Sequence, residues 1–231
     1  TYRAQAGDDF YVIGPRDTST TLCQCPDCKK AYNTWPTDAF SNGKASDVLY
    51  GFINQVQEAI GQEFPDKHIA CFNYADYAFY PQRIKVDPRV YGGACMHTAN
   101  WFAPAVEKDD TAFYRQWIEQ LPKGNLICLW MYQCFPWERG GLENFKVFPS
   151  WHAHTIDRQL KMFAKDGVRG VFVCGGVTPY IDGYLTLKLL DDASLDVDKE
   201  LDRFFRGYYG KAGPAMKKLY LAIEKTYMDP N

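Results

Sequence analysis

The chain has 231 residues, of which 46% are apolar and 23% charged, with a formal net charge of -2. That is the composition of a globular fold, with chain enough for one large domain or two small ones. So small a charge gives no electrostatic reason for nucleic acid or an anionic membrane as partner, and no apolar run reaches the roughly 20 residues of a bilayer-spanning helix.

Strand-like and helical patterns alternate along the chain. FYVIG, residues 10–14, is the first strand, and a polar loop with Cys23, Cys25 and Cys28 follows it. SDVLYGFINQVQEAIGQEF predicts an amphipathic helix, with Val48, Leu49, Phe52, Ile53, Val56 and Ile60 on one face and Ser46 as N-cap. PDKHIACFNY supplies a second strand and RVYGGAC a third. TAFYRQWIEQL repeats Phe113, Trp117 and Leu121 at a spacing of four, the mark of a helix. NLICLWMY is the fourth and most apolar strand. TIDRQLKMFAKDG is a further amphipathic helix, stopped by Gly167 in the C-cap position, and GVRGVFVCG is the fifth strand. From residue 183 the pattern is purely helical. Val197, Leu201, Phe204 and Tyr208 share one face; so do Met216, Leu219, Tyr220, Ile223 and Tyr227, with Pro214 suited to a helix first turn.

Strands separated by helices or long loops pair in parallel, and nearly continuous apolar strands imply a sheet covered on both faces. An open doubly wound sheet and a (β/α)8 barrel both satisfy this pattern. No glycine-rich phosphate loop follows any strand, whereas polar and aromatic residues gather just past the strand ends, where barrel enzymes keep their chemistry. The expectation is therefore an α/β chain forming the C-terminal part of a (β/α)8 TIM-type barrel. It has about five parallel strands over residues 1–182, and a helical extension over 183–231 packs on the barrel. Eight strands are needed, so the N-terminal portion of the barrel is expected to precede this segment in the same polypeptide.

Aromatic residues make up 16% of the chain, which buried core side chains explain better than sugar-stacking platforms. Cys71, Cys95, Cys128 and Cys174 lie in or beside apolar runs, where free thiols pack as small hydrophobes.

A strand ending in Gly14-Pro15-Arg16-Asp17, the C-x-C-x-x-C loop, the W-x-Y of Trp130 to Tyr132, and the tail YLTLKLLDDASLDVDKELDRFFRGYYGKAGPAMKKLY together resemble the bacterial domain of unknown function family 4838. The resemblance spans nearly the whole chain. It implies a carbohydrate-active barrel in exported, extracytoplasmic proteins of glycan-degrading bacteria. Some members are similar to endo-β-N-acetylglucosaminidases of glycoside hydrolase family 163, and the first part of the barrel precedes the G-P-x-D strand.

Glycoside hydrolysis uses two carboxyl groups, one to protonate the leaving oxygen and one to stabilise or attack the anomeric carbon. Asp17, at the end of the first strand and in the family motif, is the first candidate. Asp76 in NYADY and Glu138 in QCFPWERG are candidates for the second, each beside aromatic residues and each equally readable as a loop charge. A 2-acetamido group on the substrate can itself replace the second carboxylate. Trp130, Tyr132 and Trp137, with Tyr74 and Tyr77 behind them, are the candidate sugar platforms, and His97 and Asp182 are candidate hydrogen-bonding residues. The expected partner is an oligosaccharide or polysaccharide. A glycan-binding barrel without catalysis is the alternative.

No cofactor is expected. His152 and His154 in SWHAHT lack a carboxylate at metal spacing. For Cys23, Cys25 and Cys28 a structural role, free or disulfide-bridged, ranks ahead of structural zinc, because the local sequence offers no fourth ligand. A redox role ranks last.

Overall fold

The computed structural model describes residues 10–15, 22–36, 39–123, 125–133, 151–174 and 180–229. Five strands, β1 (Phe10–Val12), β2 (His68–Asn73), β3 (Tyr91–Met96), β4 (Leu126–Tyr132) and β5 (Val171–Cys174), form one sheet in the order β1-β2-β3-β4-β5. Parallel register pairs Phe10 with His68 and Val12 with Ala70, then Ala70 with Tyr91 and Asn73 with Ala94. The Gly92 N–H donates to the Asn125 carbonyl at 2.8 Å, and the Leu129 N–H to the Gly170 carbonyl at 3.0 Å, carrying the ladder onward. Strand order equal to chain order is the winding of a barrel; a doubly wound sheet reverses direction at a switch point. The fold is an α/β partial barrel.

Among the described residues the α-helices are α1 (Pro26–Ala31), α2 (Ser46–Glu63), α3 (Pro104–Gln120), α4 (Ala153–Asp166), α5 (Tyr180–Asp191), α6 (Val197–Tyr209) and α7 (Gly213–Tyr227). Chain contacts divide the protein into two compact units. One comprises Thr1–Met96, Asp109–Trp130 and Val168–Phe172; the other comprises His97–Lys108, Met131–Gly167 and Val173–Asn231.

In the first unit, residues of one strand parity are fully enclosed: Ile69, Cys71, Ala94 and Leu129. The opposite parity is mixed: Ala70 and Cys95 are buried, but several of its larger side chains are not. Phe10 is 40% exposed, Val12 46% and Phe172 48%, with Phe72 and Trp130 half-buried among them. Apolar runs in the sequence imply two covered faces, but here one face is only partly covered. Phe72 packs close against Gly93, where an added Cβ would meet its ring at 2.8 Å, and it meets Trp130 edge-on at 5.4 Å. Trp130 in turn packs on Phe172 at 4.2 Å.

Helix α2 departs from its apolar pattern. Its buried side chains are Ser46, Asp47, Tyr50, Ile53 and Gln57, while Val48 and Phe52 face outward. Gln57 is enclosed because its amide completes the start of β2, donating to the Lys67 carbonyl at 3.1 Å and accepting from the Ile69 N–H at 2.7 Å. Ala45 rather than Ser46 is the N-cap; the Ser46 hydroxyl donates to the Phe79 carbonyl at 2.7 Å. The cysteine segment, expected as loop, contains α1, with Pro26 at its start and Cys25 as N-cap. Cys71 and Cys95 are buried free thiols, and burial pushes Cys71 up to about 12, so it packs as a hydrophobe.

The second unit is held by Trp151, Ala153, Ile181, Leu185, Val197, Leu201 and Phe205, with Tyr220 and Ile223 packed against them. Gly167 closes α4 at φ 83°, a left-handed conformation that glycine adopts without steric penalty. Asp196 caps α6, accepting from the Lys199 N–H at 3.2 Å. Tyr208 and Leu219, expected on the buried faces of α6 and α7, are exposed. Phe205 takes the place on α6 that the periodicity gives to its neighbour Phe204.

Candidate functional site

In the first unit, β2 runs into a 3-10 turn, Ala75–Tyr77, that carries Asp76. Ala75 has φ 47°, the left-handed region where a Cβ is crowded, at a cost on the order of 1 kcal/mol. Such a conformation persists only where its surroundings fix it, and here Asn42 does so. The Asn42 N–H donates to the Ala75 carbonyl at 2.9 Å, its carbonyl accepts from the Ala78 N–H at 2.9 Å, and its side-chain amide donates to Asp76 Oδ1 at 2.9 Å. The Ala45 N–H donates to the Asp76 carbonyl at 2.8 Å. Asp76 is thus a half-exposed carboxylate with one oxygen anchored and its backbone clamped from both sides.

Aromatic rings flank this turn. Tyr74 is half-exposed and meets the exposed Phe40 edge-on at 5.3 Å; Tyr77 is buried and lies 6.5 Å from Tyr74. Asn42 is the residue that sequence reasoning missed. The signal was the Ser41-Asn42-Gly43 triplet, a turn sequence whose side-chain amide bonds local backbone.

Trp130, also in the first unit, is half-buried between Phe72 and Phe172 on the partly covered face of the sheet. Asp17, Glu138 and Trp137 lie outside the described residues.

The other candidates are in the second unit. His97 and Tyr132, one at the end of β3 and the other of β4, stack at 5.3 Å with ring planes 15° apart, both half-exposed. Asp182 is only 4% exposed and faces the equally enclosed His152, with Nδ1 and Oδ2 3.5 Å apart. Neither nitrogen of His152, nor Asp182 Oδ1, has a hydrogen-bond partner among the described residues. Burial favours the neutral form of both: it pushes His152 down to about 4, and together with the charge of Glu224 it pushes Asp182 well above the carboxylate range, against the N–H of His152. Gln133 and Thr186 join on the same side of α5, the amide donating to the hydroxyl at 3.1 Å.

His154 is tied to Glu224. Its Nδ1 lies 2.7 Å from Oε2, and its N–H donates to Oε1 at 2.8 Å. The bond to Glu224 raises the His154 pKa above its ordinary value, outweighing burial. A group raised on folding stabilises the protein fully below its unfolded pKa and loses that contribution as pH climbs through its folded pKa. Stability is therefore expected to fall as pH climbs from the ordinary histidine range through the raised pKa of His154, and His154→Gln to flatten this slope in urea unfolding; an unchanged slope refutes the linkage.

In the first unit the three clustered thiols lie together. The Cys28 N–H donates to Cys25 Sγ at 3.4 Å and, with contacts to the Cys28 and Cys23 side chains, lowers Cys25 to about 7. The bond to Cys25 raises Cys28 to about 11.

A parallel-stranded partial barrel with an acid and aromatic rings at a strand's C-terminal end belongs structurally with the barrel-type α/β proteins, which place their chemistry at that end. Residues 2–221 match the model of the family described as Domain of unknown function (DUF4838), and the chain belongs to that family. No curated protein and no solved structure matches it.

Proposed function

We propose that the chain is part of a glycoside hydrolase-like protein that cleaves a glycan by carboxylate acid/base catalysis, on an N-acetylhexosaminide-type substrate. The observation that carries this reading is Asp76. It stands half-exposed at the C-terminal end of a parallel strand, beside Tyr74 and Phe40, on a turn that Asn42 holds in a left-handed conformation. Preorganised carboxyl groups are what glycosidic cleavage needs, because proton delivery to the leaving oxygen depends on position as much as on acidity. The sequence supplies Asp17 or Glu138 as partner carboxylate, and a substrate acetamido oxygen can take the nucleophile's part. Such chemistry requires no cofactor. The partly covered strand face of Phe10, Val12 and Phe172 supports further barrel strands of the same polypeptide completing the enclosure. A bacterial, extracytoplasmic setting is what the family resemblance implies.

The second reading is a glycan-binding barrel without catalysis. The Asn42–Asp76 amide–carboxylate pair favours it, since such a pair beside an aromatic ring also suits recognition of sugar hydroxyls. Labelled oligosaccharides incubated with the complete polypeptide separate the two. New reducing ends from N-acetylhexosamine-containing chains are expected for the enzyme; retention on a glycan gel without cleavage indicates the binding module. Neither retention nor cleavage across a broad panel rejects both.

A further inference from the structure

Cys23, Cys25 and Cys28 bring their three Sγ atoms within 4.8 Å of one another on an exposed segment of the first unit. We propose that these three thiolates bind a zinc(II)-class thiophilic cation, with the fourth coordination position left to water or an external donor. In a tetrahedral site with Zn–S bonds near 2.3 Å, neighbouring sulfurs stand roughly 3.8 Å apart, so a closure of at most about 1 Å separates the observed cluster from a ligand set.

The local fold makes that closure small. Pro26 starts α1 immediately after Cys25, and the first turn of the helix returns Cys28 to Cys25, with the Cys28 N–H pointing at Cys25 Sγ. Backbone N–H groups directed at sulfur are the outer-shell contacts that orient thiolate ligands. Cys23 is held from the far end of α1, where the Tyr32 hydroxyl donates to its carbonyl at 3.2 Å. Three thiolates on one divalent cation leave a single negative charge, and Lys29 and Lys30 in the last turn of α1 lie close in sequence to offset it. A disulfide accounts for two of the cysteines and leaves the third without a role, whereas three thiolates and one open position form a complete coordination set of the three-ligand type. The missing fourth protein ligand, which ranks zinc second on sequence grounds, is the position that water fills in such sites.

The bound ion would clip residues 22–32 into one conformation, so its binding energy would appear as stability of that segment. The test uses the complete polypeptide, reduced and free of oxygen, titrated with cobalt(II). One equivalent is expected to bind with sulfur-to-cobalt charge transfer and the visible bands of a tetrahedral site, and zinc(II) is expected to displace it. The Cys23→Ser/Cys25→Ser/Cys28→Ser variant, verified as folded by circular dichroism, is expected to lose this uptake while Cys71, Cys95, Cys128, Cys134 and Cys174 remain. Failure of the reduced parent protein to take up cobalt stoichiometrically overturns the proposal. Full uptake by the triple variant overturns it equally.

Discussion

Asp76→Asn in the complete polypeptide is expected to lower glycan turnover by about 10²–10⁴-fold, the range for loss of a positioned acid or base. The substitution exchanges one carboxylate oxygen for an amide nitrogen and keeps the side chain's shape. The new amide still offers a carbonyl oxygen to the Asn42 side chain, and the backbone bonds from Asn42 and Ala45 do not involve the substituted group. Folding is therefore expected to be unaffected, while the amide can neither release a proton to a leaving oxygen nor act as a nucleophile. Substrate retention should survive, so the loss should appear in kcat rather than in KM. Unchanged turnover, measured as reducing ends released per minute, removes Asp76 from the chemistry and passes its proposed role to Asp17 and Glu138.

Trp117→Ala is expected to cost about 3–5 kcal/mol of stability, a large part of the roughly 5–15 kcal/mol available to a domain. Trp117 is completely buried and packs on Tyr50 at 4.9 Å and on Tyr80 at 4.8 Å. Its indole N–H donates to the Ala78 carbonyl at 2.6 Å, and the Ala78 N–H donates to the Asn42 carbonyl. Truncation leaves a cavity and an unpaired carbonyl, and both lie under the turn that holds Asp76. Trp117→Phe keeps a six-membered ring but gives up part of the indole volume together with the hydrogen bond, for a smaller loss of about 1–3 kcal/mol. The comparison separates packing from bonding: equal denaturation midpoints for the Ala and Phe variants show that the cavity contributes nothing.

Much of the strand and helix pattern is legible in the residues themselves. The runs FYVIG, HIACFN, YGGAC, LICLWMY and VFVC are strands because each is a short apolar stretch bounded by polar or turn residues, and all five pair in chain order. Gly167 and Pro214 mark helix ends for local steric reasons, and both lie where those reasons put them. Part of the aromatic content is core, as Trp101, Trp117 and Trp151 show by their burial. The face of α2 is different. Its apolar stripe is centred on Phe52, yet Phe52 is exposed and Gln57 enclosed, because the start of β2 needs a donor and an acceptor at that point.

The sequence by itself determined the alternation of strands and helices, their parallel pairing, the family, and the cluster of thiols, since each is written in residues close together along the chain. Only the tertiary structure decided that Asn42 clamps the turn of Asp76 from 34 positions away, that His152 and Asp182 face each other inside the fold, and that one strand face of the first unit stays partly open. Periodicity records which side of an element is apolar. It carries no information on which distant residue arrives to cover that side, because a contact between remote positions is fixed by packing in three dimensions and leaves no local pattern.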